Sequence, residues 1–220
     1  NELSGQTDKK TIKFNSSMTN SIYEKGLMAS EEFIKALKYF NKLSFDIENP
    51  SQNFKQIFTI LSEMMKKELK EVKINIITYY LSSFRDFFNE TGVNFVVTTP
   101  STTTILRENS FCEVSKMSQI SISSSITTIK SNAFSDCTSL EKVSIPSSSS
   151  LNEIGESAFY YCTSLRSISI PSSVTSINDF VFQECSKLRQ ISIPSSATFI
   201  GDYAFDRCSS LLEISFPSSV

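Results

Sequence analysis

The sequence predicts an α+β chain in which a helical amino-terminal region precedes a short solenoid built on a parallel β-sheet. Three observations carry this reading. A unit of 23 residues recurs about five times between Val96 and Val220. Each unit holds a strand-like apolar–polar–apolar triplet followed by turn residues, whereas residues 22 to 90 space their apolar side chains three and four apart. The chain divides accordingly into a polar segment at 1–21, a helical region at 22–93 and the solenoid at 94–220.

In the helical region Ser30 is placed as an N-cap. Glu31 and Glu32 then complement the helix dipole, and Phe33, Leu37 and Phe40 fall on one face. Asp46 to Pro50 interrupts the pattern. A second helix starts near Ser51 with Phe54, Ile57, Phe58, Leu61, Met65 and Leu69 as its stripe. Ile74, Ile77, Leu81, Phe84 and Phe88 continue the spacing until Gly92, after which Phe95 to Val97 opens the first strand. The order Tyr23, then Phe33-Ile34-Lys35-Ala36-Leu37, a break and a long helix resembles the start of a BAR-type domain. That resemblance implies a membrane-associated adaptor. Ten basic residues against ten acids in this stretch give it no cationic excess. The plainer expectation is that these helices cap the first coil of the solenoid.

The repeat aligns on Phe111, Phe134, Phe159, Phe182 and Phe205, with spacings of 23, 25, 23 and 23. Cys137, Cys162, Cys185 and Cys208 follow the last four at a fixed offset, and Met117, Leu140, Leu165, Leu188 and Leu211 follow all five. The triplets Ile120-Ser121-Ile122, Val143-Ser144-Ile145, Ile168-Ser169-Ile170, Ile191-Ser192-Ile193 and Ile214-Ser215-Phe216 are short strands with two inward residues each. Pro146, Pro171 and Pro194 lack an N–H and end the pairing. Serines turn the chain, and the stretch around Ile177 and Phe182 returns it through a short helix or 3₁₀ turn. One unit cannot bury its apolar side alone; stacked units make a continuous core.

The pattern A-F-x-x-C-x-x-L-x-x-I-x-I-P-x-x-V-x-x-I resembles the BspA-like leucine-rich repeats of surface and interaction proteins. Ala133-Phe134, Ala158-Phe159 and Ala204-Phe205 match it. Val181-Phe182 departs mildly, and Phe111 is followed at once by Cys112. The resemblance implies a leucine-rich-repeat solenoid and a part in adhesion or protein–protein contact.

Composition narrows the function. A net charge of −2 offers no footprint for nucleic acid. With no histidine, the commonest general acid–base, Cys₂His₂ zinc and Ser-His-Asp chemistry are absent, and no phosphate-cradling glycine motif occurs. The expectation is a non-enzymatic protein that uses no cofactor and holds no metal. Four cysteines in file, one per coil, cannot converge on one ion and read as small buried thiols. Reduced thiols lean toward a cytoplasmic over a cell-surface setting. No signal-like apolar run occupies the first thirty residues. The sequons at Asn15 and Asn89 are chance matches in a chain rich in Ser and Thr.

Two candidate surfaces follow. The polar residues between and beside the inward strand positions form a hydroxyl-rich face open to a protein partner: Ser121, Lys142, Ser144, Ser169, Gln190, Ser192, Glu213 and Ser215. Tyr160, Tyr161, Arg166, Arg189 and Arg207 on the outer turns compete as contacts. At the carboxyl-terminal coil, Leu212 stands where other copies carry Glu141, Arg166 and Arg189. With Ile214, Phe216 and Val220 it forms an uncapped apolar edge, which predicts self-association as a two-fold end-to-end dimer.

Overall fold

The structure, a computed structural model, describes residues 10–15, 40–47, 71–76, 85, 89, 95–212, 214, 216 and 218. The strands are β1 (Lys10–Asn15), β2 (Phe40–Ile47), β3 (Glu71–Ile76), β4 (Phe95–Thr98), β5 (Ile105–Leu106), β6 (Met117–Ser121) and β7 (Thr128–Ile129). After them come β8 (Lys142–Ser144), β9 (Glu153–Ile154), β10 (Ser167–Ser169), β11 (Ser176–Ile177), β12 (Gln190–Ser192) and β13 (Phe199–Ile200). Eight of them make one parallel sheet in the order β1-β2-β3-β4-β6-β8-β10-β12. The two-residue strands form short parallel rows, β5-β7-β9 and β11-β13. From β4 onward each coil therefore visits the long sheet once and a short row once, which is the parallel β-solenoid that the repeat predicts.

The amino-terminal half departs from its helical reading. β2 covers the end of the expected first helix at Phe40, and β3 covers Ile74 of the expected third. Both continue the solenoid sheet: Phe45 pairs with Ile74, and Ile74 with Val97. The physical reason lies in tertiary pairing. Leu43-Ser44-Phe45-Asp46-Ile47 and Val72-Lys73-Ile74-Asn75-Ile76 alternate with period two, and a waiting sheet edge supplies backbone partners that local spacing cannot reveal. β1 lies in the segment read only as polar. Arg85 and Asn89 have helical backbone. The other expected helix positions, from Phe33 and Leu37 through Phe54 to Leu69 and on to Phe88, lie outside the described residues. Parallel strands at 40–47 and 71–76 are incompatible with a BAR-type helical bundle, so that resemblance has no support.

From Phe95 onward the core is a set of files running along the solenoid. Phe111, Phe134, Phe159 and Phe182 are each fully buried. Their rings stack nearly parallel at 5.0, 5.0 and 5.5 Å, and Phe205 continues the column at 5.5 Å. Burying each ring is worth about 1.5–3 kcal/mol, and each stacked contact adds ~0.5–1.5 kcal/mol. The inward strand residues Ile120, Val143, Ile168 and Ile191 are buried, as the triplets require.

The returning stretch is not a helix. Successive i→i+3 bonds tighten it, for example Ala133 N–H to Lys130 O at 3.3 Å and Cys137 N–H to Phe134 O at 3.2 Å. Residues two before and two after each phenylalanine hold positive φ, from Asn109 at 57° to Arg207 at 58°, which breaks any continuous helical turn. The N–H of every second turn residue is thereby aimed along the stack. Asn132, Phe134 and Asp136 donate to the carbonyls of Glu156, Ala158 and Tyr160 in the next coil at 3.0, 2.8 and 2.8 Å. Pro146, Pro171 and Pro194 each accept the first turn bond after their strand, from Ser149, Val174 and Ala197.

The cysteine file does more than fill space. Cys137, Cys162, Cys185 and Cys208 each donate Sγ–H to the phenylalanine carbonyl of the preceding coil, those of Phe111, Phe134, Phe159 and Phe182, at 3.0, 3.1, 3.2 and 3.1 Å. A thiol satisfies this position because the site needs a small buried donor, which alanine or valine cannot supply. All five cysteines are free.

Candidate functional site

The long sheet presents one face to the core and one outward. On the outward face Gln119, Lys142, Ser167 and Gln190 are exposed and stand in register, coil above coil. The central hydroxyls form a second file: Ser121 and Ser144 are half-buried, Ser169 and Ser192 exposed. Of the expected face, Glu213 and Ser215 lie outside the described residues; the remaining six are placed as two adjacent polar files.

Over the face of β10 and β12 these files border an open groove of roughly 920 Å³, lined by Arg166, Ser167, Ile168, Ser169, Arg189, Gln190, Ile191, Ser192 and Leu212. Ser169, Gln190 and Ser192 of the expected binding face are thus brought together with Leu212 of the expected self-association edge. Arg166 Nε is held at 3.6 Å by Glu141 Oε2 of the preceding coil. Arg189 is exposed, and no ion pair among the described residues engages it. Leu212 is 91% exposed in the column that Glu141, Arg166 and Arg189 occupy, and Phe216 is 53% exposed. Ile214 is half-buried against the core, and Val220 lies outside the described residues.

Chemically the face offers three kinds of group. Its hydroxyls and amides donate and accept, two guanidinium groups offer charge, and one aliphatic side chain offers an apolar contact. Burial raises the buried thiols Cys137, Cys162 and Cys185 far above the ordinary value and so keeps them protonated; neighbouring thiols add to this in all three, and Asp136 in Cys137 and Cys162. Cys208 is pushed up to about 11 by burial, against an ordinary 9.0. Among the described residues no cluster of three or more Cys, Asp or Glu side chains is arranged to hold a metal ion.

The turn side carries features the sequence reading underused. Tyr161 is 40% exposed and its ring lies 6.0 Å from that of Tyr160. Arg207, expected as a competing contact, is held by Glu184. Phe180 and Tyr203, not singled out from sequence, stack at 5.5 Å and 3° on the surface. Their signal was available: both stand where Asn109 and Asn132 stand in earlier units. Asn89, one of the two sequons, spends its side chain on structure. Its Nδ2 donates to Glu113 O at 2.7 Å, and its Oδ1 accepts from Ser115 N–H and Oγ at 2.9 and 3.1 Å. A glycan there would take one of the two Nδ2 hydrogens and crowd the Nδ2 bond to Glu113 O, while Oδ1 would remain an acceptor.

Comparison with known proteins places the repeat. A model of the BspA type leucine rich repeat region matches six copies across residues 84–212. Among curated proteins none matches. A leucine rich cell surface protein from Faecalibacterium prausnitzii is 27% identical over 59% of this chain and 43% of its own, with a TM-score of 0.45. A leucine-rich repeat protein from Bacteroides ovatus is 22% identical over 79% of this chain and 34% of its own, with a TM-score of 0.44. The chain thus spans less than half the length of either protein. The 84–212 match extends over more than half of the 220 residues, and this chain belongs to the BspA-type leucine-rich repeat family.

Proposed function

We propose that this chain is a non-enzymatic scaffold for protein–protein interaction or adhesion, and that its partner lies across the outward face of the long sheet. The single observation that carries this is the groove over the face of β10 and β12. There an exposed leucine and two arginines border a floor of serine hydroxyls and an amide. Such a mixture suits an extended polypeptide: backbone groups meet the hydroxyl files, an acidic side chain meets Arg189, and an apolar one meets Leu212. Repeat solenoids in general use extended surfaces for binding, which supports the reading. A photo-crosslinking residue placed at Ser169, on the face, and at Ser172, on the exposed turn beyond it, tests the reading in a native extract. Protein adducts formed from position 169 and not from 172 support it; equal adducts from both positions, or none from 169, overturn it.

A second reading gives the same groove a different occupant, another copy of the chain. It is favoured by Leu212, the apolar member of a column otherwise polar. Light scattering separates the two, as set out in the Discussion.

A further inference from the structure

The outward column at the start of the strands carries charge that the fold does not balance. Glu141, Arg166 and Arg189 follow one another coil by coil, Arg166 N–H donating to Glu141 O at 3.2 Å and Arg189 N–H to Arg166 O at 3.0 Å. Neighbouring strands stand ~4.8 Å apart, so two exposed guanidinium groups leave adjacent backbones. Like charges directly opposite in a sheet repel. Lys142, exposed in the next column and paired in register with Ser167, adds a third cation. Among the described residues Glu141 is the one acid beside them, and it is held loosely. Its Oε2 lies 3.6 Å from Arg166 Nε, too far for a hydrogen bond, and both side chains are half-exposed. Among the described residues neither guanidinium spends its fork of N–H groups on a hydrogen bond, and Lys142 and Arg189 have no ion pair. Both arginines line the groove, beside the hydroxyls of Ser167 and Ser169. The patch is cationic on a chain whose net charge is −2.

We propose that the partner of the sheet face is an acidic extended segment of a protein, which lays one carboxylate on Arg189 and a second on Arg166, where it displaces Glu141. The assignment rests on the sheet-face placement proposed above. Charge complementarity selects this occupant: the column offers two guanidinium forks, each able to hold a carboxylate through two parallel N–H bonds. Alternate side chains of an extended segment project from one face about 6.6 Å apart. Two flexible arginines on neighbouring coils reach that spacing, and a guanidinium is more weakly hydrated than an ammonium. Glu141 is the stand-in that supplies Arg166 with a counter-charge until the partner's carboxylate replaces it.

The test reads fluorescence anisotropy with the full chain and two labelled peptides, five glutamates or five glutamines separated by glycines. The glutamate peptide binds and the glutamine peptide does not. Arg189→Gln weakens the glutamate peptide by about fivefold, as loss of one exposed ion pair would. Glu141→Gln, which removes the competing carboxylate, tightens it by about two- to threefold. Glu153→Gln makes the same change of charge beside Lys130, 3.0 Å away on the side of the short rows, and leaves binding unchanged. Circular dichroism checks that all three variants keep the fold. Equal tightening by Glu141→Gln and Glu153→Gln would reduce the effect to net charge and overturn the proposal. So would a sulfated hexasaccharide that binds through Arg189 while the glutamate peptide does not, since the column would then read sulfate. Protein adducts formed from position 169 without any binding of the glutamate peptide would leave the sheet-face reading standing and overturn the acidic partner alone.

Discussion

Replacing Phe182 by alanine removes a ring from the middle of the aromatic file. The side chain is fully buried and stacks at 5.5 Å on both Phe159 and Phe205. Its transfer out of water is worth about 1.5–3 kcal/mol, and two stacked contacts contribute ~0.5–1.5 kcal/mol each. The void cannot close, because bonds independent of the ring fix the separation of the coils. Phe182 N–H still donates to Ala204 O at 2.9 Å, and Cys208 Sγ still donates to Phe182 O at 3.1 Å. A cavity term therefore persists, and the expected loss is ~3–5 kcal/mol. Urea unfolding followed by circular dichroism measures it, with Lys187→Ala on the exposed surface as the reference, expected to stay within about 0.5 kcal/mol. Adding Phe159→Ala yields a coupling of about 0.5–1.5 kcal/mol if the stack is cooperative. A Phe182→Ala loss no larger than that of Lys187→Ala would refute the inward placement of the file. Strict additivity of the pair would refute the stacking contribution.

Other consequences are equally direct. Cys162→Ser lowers stability by about 1–3 kcal/mol, since the shorter C–O bond draws the donor back from Phe134 O inside an apolar file; reductant leaves the melting temperature of the wild type unchanged, and a large drop would reveal a disulfide. Because burial raises the folded thiols above 9.0, with Cys208 at about 11, their stability contribution is complete below pH 9. It is lost as pH rises toward 11 and beyond, when the unfolded thiols ionise and the folded ones do not. Melting temperatures scanned from pH 7 to 11 should stay flat up to about 9 as far as these thiols govern them, and Cys162→Ala should flatten the decline beyond it. Gly155→Ala, whose Cβ would sit 2.6 Å from Ser131 N in the preceding coil, costs about 1–3 kcal/mol by forcing two coils apart, read by the same unfolding assay. Leu212→Arg with Phe216→Lys dissolves any oligomer formed by the wild type at tens of micromolar; light scattering that finds a monomeric wild type, or an oligomer indifferent to both charges, ends the second-copy reading.

The solenoid half was legible because its period is written in residues that can do little else. A phenylalanine, a small donor, a leucine and an apolar–Ser–apolar strand recur at fixed offsets, and the structure puts each in its own file. The amino-terminal half was not, and the cause is specific. Aligning on the core phenylalanine leaves β2 and β3 unmarked, whereas aligning on the strand shows Ile74, Val97 and Ile120 in one register at 23-residue spacing. Phe88 likewise precedes Phe111 by 23. Ile74 and Ile76 occupy the strand positions of Val143 and Ile145, but Ile74, Ile77, Leu81, Phe84 and Phe88 also make a helical stripe, and a short apolar run satisfies both periods. What decides between them is the neighbouring strand, a contact between residues far apart in sequence. The thiol-to-carbonyl bonds were hidden for a related reason. Position explains why a small residue sits there, while the need for a donor becomes visible only when the carbonyl of the preceding coil is in place.

A stack of near-identical coils separates the residues that hold the fold from those free to recognise something. Within a file, sameness marks structure: Cys137, Cys162, Cys185 and Cys208 all meet one demand, a small donor beneath a carbonyl. Departure from the file is then informative, because neighbouring coils show what the fold alone would accept. Glu141, Arg166 and Arg189 show that a charged residue suits the outward column, so Leu212 is not required there by packing, and it borders the groove. Asn109 and Asn132 show that a short polar residue suits the left-handed turn, so Phe180 and Tyr203 are not required there by backbone geometry, and they lie stacked at the surface. Leu212 and Tyr203 are exposed, while Phe180 is half-buried. The two departures occur on different sides of the same carboxyl-proximal coils, the sheet face and the turn. A partner engaging both would have to wrap these coils, and one engaging either would leave the other for a second protein. Comparing Leu212→Arg with Tyr203→Asn against the same partner distinguishes these arrangements, since only a wrapping partner is weakened by both.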